Sequence, residues 1–150
     1  MSINIASDAE GPMRPVPEVL AVEGRGLEGD RYFSKSGTYS KTEGTGRQVT
    51  LIEEESVLAL ARDYKVEMEP KDVRRNIVTR GVSLNHLVGR EFRVGEVVLR
   101  GMRLCEPCTH MEAVSGKLAR PGLVHRGGLR CDIVRGGLIR VGDHVGGDSR

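Results

Sequence analysis

The sequence contains no tryptophan, and aromatic residues make up only 3% of it, two of them phenylalanine and three tyrosine. Apolar residues reach 38% and fall in short runs, while glycine occurs 20 times. Such a chain favours many short strands joined by tight turns. Neither charge sign dominates: 23 Lys and Arg stand against 21 Asp and Glu, for a formal net charge of +2. The basic residues are spread along the chain, which excludes the clustered footprint of a nucleic-acid binder but leaves room for a pocket that takes a small anion. No apolar run approaches the roughly 20 residues that span a bilayer. The start, "MSINIASDAEGPMRP", has neither a positive n-region nor an apolar h-region, so a cytoplasmic location with no membrane partner is expected. Cysteine is scarce and odd in number, with three residues, which argues against a disulfide framework. In a reducing compartment a close cysteine pair points to catalysis or metal binding.

What is present suits one domain, since 150 residues are enough to bury a core. Residues 1–15 mix Ser, Asp, Pro and Gly and are expected to be loosely held, with a single domain over 16–146. "VPEVLAVEG" (Val16 to Gly24) reads as a first strand, and the polar, Gly-rich stretch from Ser34 to Gly46 as a surface loop. "RQVTLI" is a strand that runs into "EEESVLALARDY", where Val57, Leu58, Leu60, Ala61 and Tyr64 follow helical spacing. Three glutamates in its first turn suit the positive end of the helix dipole. "SLNHL" gives one short helical turn, and "GREFRVGEVVL" a hairpin that turns at Gly95 and Glu96. "VVLRGMRL" is a strand leading straight to the cysteines, and "THMEAVSG" a short helix beyond them. The tail yields three short strands set off by Gly-Gly and Gly-Asp turns. The fold class is therefore mainly β, barrel-like, with one longer helix, one or two short ones, and non-sequential strand pairing.

The chemistry gathers at "LCEPCTHME", where Cys105 and Cys108 are separated by Glu106 and Pro107. A structural zinc site needs four ligands, and this pair supplies half of one unless Cys131, His110 and His125 complete it. A dithiol redox centre fits a strand before the pair and a helix after it, but the chain lacks the alternating strand and helix order of the thioredoxin fold. A single reactive thiol is the third reading. Cys108 follows Pro107 and precedes an expected helix start, where free amides stabilise a thiolate. The plain alternative is that both cysteines are small apolar residues at a strand end. His110 is a candidate to tune the Cys108 thiolate or shuttle a proton, and Cys105 to resolve a sulfur loaded on Cys108. Cys131 reads as a strand core residue, and Asp30 as a turn residue rather than a catalytic acid.

The pieces "GLEGDRY", "RQVTLIEEESV", "RRNIVTRG", "LVGREFRVGEVVLRGMRLCEPC" and "GGLIRVGDHV", in this order over nearly the whole chain, resemble a MOSC domain. MOSC domains occur at the C-terminus of molybdenum cofactor sulfurases and as free-standing bacterial proteins. The resemblance implies a β-barrel-like fold with Greek-key pairing, and it implies that Cys108, the cysteine of the Pro-Cys step, is the functional thiol. That thiol would carry sulfur as a persulfide or ligate the molybdenum of the pyranopterin cofactor. The activities implied are sulfur transfer or reduction of N-hydroxylated compounds, the latter with an external redox partner. A non-catalytic module that delivers cofactor or sulfur to a biosynthesis protein is the alternative, and a zinc-stapled structural domain a further one. Pyridoxal phosphate belongs to the sulfurases' separate N-terminal domain and is not expected here. A molybdenum pyranopterin carries a phosphate and a dithiolene, so it needs cations and amide donors. Arg75 and Asn76, at the head of "NIVTRG", and Arg47 and Gln48, opening "RQVTL", are the candidates to supply them.

Overall fold

Apolar and polar residues alternate along most of the strands, and that alternation decides which face each strand buries. In the computed structural model, residues 2–6, 13–30, 33, 48–65, 74–105 and 127–147 are described. Strand β7 (Glu91–Val94) buries Phe92 and Val94 and exposes Glu91 and Arg93. It turns through Gly95 and Glu96 into β8 (Val97–Leu104), with Val94 opposite Val97. Gly95 holds φ at 61°, which a two-residue hairpin turn requires and glycine adopts without strain. Strand β9 (Leu129–Arg135) buries Leu129, Cys131 and Ile133 and pairs antiparallel with β8. Both strands match the sequence reading, as does Cys131 in the core.

The chain begins with β1 (Ser2–Ile5), inside the segment expected to be loosely held. Ile3 and Ile5 are buried, and β1 pairs with two other strands, so these residues belong to the sheet. Polar neighbours conceal a two-residue apolar alternation that is enough to anchor a strand when partners lie on both sides. The strand read from Val16 to Gly24 is observed as β3 (Glu18–Val22), and Pro17, which has no ladder donor, separates it from β2 (Arg14–Val16), most of which lies in the segment expected to be loosely held. Strand β4 (Gly26–Leu27) follows β3.

Next come β5 (Val49–Glu53), helix α1 (Glu54–Tyr64) and β6 (Ile77–Thr79), and β6 lies parallel to β5. A parallel neighbour needs a crossover, and the helix lies within it. Helix α1 ends where Lys65 takes a left-handed conformation and its N–H reaches back to the Leu60 carbonyl. Val57, Ala59 and Leu60 are buried, but Leu58 is 61% exposed, so it lies off the buried stripe to which its spacing assigned it. The expected short helical turn in "SLNHL" is present as a 3-10 turn at Leu84–Leu87, and it buries both leucines. Strands β10 (Gly137–Arg140) and β11 (Val145–Gly147) complete the tail.

The main sheet has eight strands in the order β11-β7-β8-β9-β5-β6-β1-β2, and a second sheet runs β10-β3-β4. Pairing is non-sequential, as expected. Among the described residues the main ladder does not close, so the fold is mainly β with one helix and sheets that stay open at their edges. Val19, Ala21, Leu27 and Ile139 of the small sheet share one apolar core with Leu51, Ile77, Phe92, Leu99 and Leu129 of the large one.

Candidate functional site

Between β8 and β9 the chain leaves the sheet at Cys105 and returns at Gly127, and the 21 residues 106–126 in between include Cys108. The two ends form a closed neck. Leu104 pairs with Leu129, and the Cys105 N–H donates to the Gly128 carbonyl at 2.7 Å. Gly128 sits at φ 111°, and a Cβ there would collide with the Leu51 carbonyl, so the returning chain is pressed against β5. Arg75 binds both ends of the neck. Its Nε donates to the Gly127 carbonyl at 2.7 Å and its Nη2 to the Cys105 carbonyl at 3.2 Å. This guanidinium is buried, where a charge is tolerated only when hydrogen-bonded.

Asn76 performs a second bracing task one residue later. Its Oδ1 accepts the Thr50 N–H at 3.0 Å and the Thr50 hydroxyl at 3.2 Å, while its Nδ2 donates to the Asn4 carbonyl at 3.2 Å. Its own N–H donates to Thr50 Oγ1 at 3.0 Å, and its carbonyl accepts the Asn4 N–H at 2.6 Å. The side chain is fully buried and ties β1 and β5 to the start of β6. Gln48 works in a similar way: its Oε1 accepts the Ile133 N–H at 2.8 Å and links β9 to the start of β5. Asp30 is a turn residue whose Oδ1 also accepts the Ala6 N–H at 3.1 Å.

Three of the residues expected to meet a cofactor, Gln48, Arg75 and Asn76, thus hold the protein's own backbone. Arg47, Cys108 and His110 lie outside the described residues, as do His125, the surface loop and the expected "THMEAVSG" helix. Cys105 is buried at one end of the neck, and its thiol and that of Cys131 are free. Burial pushes the Cys131 thiol well above its ordinary range, with the Asp132 carboxylate and Cys105 adding to the effect. A thiol in that position stays protonated and inert at neutral pH. Among the described residues no three His, Cys, Asp or Glu side chains gather to hold a metal ion. The described residues of this region are thus occupied with the protein's own backbone.

Sequence reasoning missed Thr50 and Asn4, the partners of Asn76, because a buried threonine in a strand gives no signal of its own. It also missed one role of the glutamates at the β5–α1 junction, where Glu53 ends the strand and only Glu54 and Glu55 lie in the first turn of the helix. Glu53 accepts the Leu84 N–H at 3.1 Å, Glu55 accepts the Gly81 N–H at 2.8 Å, and Glu54 pairs with Arg80 at 2.8 Å. Together they tie the 80–84 connection to the start of the helix.

Comparison with known proteins agrees with this architecture. The YuaD protein from Bacillus subtilis superposes with a TM-score of 0.74 at 18% identity, covering 96% of this chain and 91% of that one. YiiM from Geobacillus stearothermophilus gives 0.74 at 13% identity, covering 99% and 74%. YiiM from Escherichia coli gives 0.66 at 18% identity, covering 100% and 71%. At such identities the likeness concerns the fold. No curated protein matches the sequence. The model of the MOSC domain matches residues 38–146, most of the chain, and this protein therefore belongs to the MOSC domain family.

Proposed function

We propose that this protein acts through the Cys108 thiolate on the sulfur or the molybdenum of the molybdenum cofactor. The observation that supports this most is the neck: a buried guanidinium and a main-chain hydrogen bond fix the points where the Cys108 segment leaves and rejoins the sheet. Cys105 is buried at the exit, which leaves Cys108 of the pair for chemistry. The family's association with molybdenum cofactor proteins supplies the substrate class.

Two forms of the reaction follow from thiolate chemistry. As a sulfur carrier, Cys108 holds a sulfane sulfur received from an external persulfide donor. An acceptor nucleophile attacks the outer sulfur, the S–S bond breaks, and the electron pair leaves with Cys108 as thiolate. As a soft ligand, Cys108 would hold the molybdenum of the pyranopterin. The bound cofactor would then supply two-electron reduction of an N-hydroxylated substrate, with electrons from a separate reductase. In either form the residues around the neck keep the thiol's tether in place.

Expression in a host that makes the cofactor, followed by metal analysis and assay with a reductase and an N-hydroxylated base, separates these forms. Bound molybdenum with turnover supports the reductase, and bound molybdenum without turnover supports a delivery module. Molybdenum-free, sulfane-free protein from such a host contradicts both, and stoichiometric zinc in its place supports a zinc-stapled domain.

A further inference from the structure

The arginines are spread along the sequence, but strand pairing gathers five of them on one surface. In β7, β8 and β9 alternate side chains enter the core, as Phe92, Leu99 and Cys131 do. Those between them emerge on the opposite face of the sheet. Three cross-strand rows result. Arg93 and Arg135 both lie opposite Val98, which is buried yet stands outside the apolar core cluster. Arg100 lies between Glu91 and Asp132 and forms an ion pair with Glu91. Past a register shift in β8, Arg103 comes opposite Arg130. Arg93, Arg100 and Arg135 are exposed, and Arg103 and Arg130 are half-buried.

Five arginines against the two carboxylates of Glu91 and Asp132 give this face a charge of +3, more than the +2 of the whole chain. The excess sits in the two end rows, while the middle row alternates in sign. A uniform polyanion, such as nucleic acid or an anionic lipid surface, meets Glu91 and Asp132 in the middle and is repelled there. A protein segment with carboxylates at both ends and none at its centre avoids that repulsion. All five cations are arginine and none is lysine, which is the preference of protein interfaces. The guanidinium fork also takes a carboxylate through two hydrogen bonds. The end rows lie about 16 Å apart along β8, and the three strands span about 10 Å. A face of that size suits a transient contact rather than a permanent one. We infer that the outer face of β7, β8 and β9 docks an acidic segment of a partner protein, with carboxylates set over the two end rows. The inference is independent of the cofactor chemistry proposed above.

The test is a peptide titration followed by backbone amide NMR at low ionic strength. The probe is a peptide with two glutamates at each end of a five-residue neutral spacer. A peptide of the same composition with its four glutamates adjacent is the control. The split peptide is expected to shift the amides of Arg93, Arg100, Arg103 and Arg130 and to bind roughly threefold more tightly than the control. Arg93→Glu and Arg135→Glu are each expected to weaken it roughly fivefold. Arg62→Glu, the same charge change at an exposed position of α1, leaves binding within about twofold of wild type. Arg93 and Arg135 are both exposed, so if one variant loses its fold the other carries the comparison. Absence of shifts on these strands overturns the inference. So does an equal loss in Arg62→Glu, because net charge alone would then attract the peptide, and so does equal binding of the two peptides. A single-stranded oligonucleotide or phosphatidylserine vesicles that perturb the same amides at lower concentration assign the face to another class of partner and overturn it as well.

Discussion

At the scale of single residues, the sequence shows which side chains matter more readily than what they do. Arg75 and Asn76 stand out as a polar pair at the head of an apolar strand, and both are central to the structure. Their work is directed at backbone, however, and that follows from strand order, which a linear sequence does not display. Asn76→Ala removes the acceptor of the Thr50 N–H and the donor to the Asn4 carbonyl, leaving both buried groups unpaired. The expected loss is about 2–4 kcal/mol in urea denaturation, and a loss below about 0.5 kcal/mol would contradict the bracket. Cys131 was legible as a core residue because it alternates with Leu129 and Ile133. Its buried, upshifted thiol is expected to resist alkylation at pH 8 in the folded protein and to react at the rate of a free thiol once denaturant unfolds the chain. Mass spectrometry of labelled peptides reads the difference, and rapid labelling in the native state would contradict the assignment.

Among the elements, strands with strict alternation and the hairpin turn at Gly95 and Glu96 could be read directly. Strand β1 was hidden among Ser and Asn, and β2 was passed over because Arg14 and Pro15 give it no apolar alternation. All three glutamates were assigned to the helix dipole, whereas Glu53 ends β5, and the contacts of Glu53, Glu54 and Glu55 hold the 80–84 connection. The Glu54–Arg80 pair gives this connection a pH dependence. The hydrogen bond from Arg80 holds the Glu54 carboxyl below the ordinary carboxylate value of 4.5, against a small opposing desolvation, and the Arg80 charge adds to the lowering. A depressed folded value means that the stabilisation is fully present above the unfolded value and is lost as pH falls through the folded one. Because both side chains are partly or largely exposed, the effect is small. Arg80→Ala is therefore expected to melt slightly below wild type at pH 7, with the gap closing in the acid range below about pH 4.5. A gap that widens on acidification would contradict this role for the pair.

For the whole molecule, glycine abundance and aromatic scarcity were enough to indicate many short strands, and the order of motifs was enough to indicate the MOSC family. Pairing order was not legible beyond being non-sequential, because register between distant strands depends on which faces find a common core. One consequence is the placement of β5 between β9 and β6, which brings Arg75 to the exit and re-entry of the Cys108 segment. On the proposed function the cysteine pair is asymmetric: Cys105 is a buried end of the neck, and Cys108 is the proposed working thiol. The most direct measurement is molybdenum and cyanide-releasable sulfur per chain in wild type, Cys105→Ala and Cys108→Ala, all purified from a host that makes the cofactor. Wild type and Cys105→Ala are expected to retain one or both and Cys108→Ala neither. Equal amounts in wild type and Cys108→Ala would contradict the proposed function.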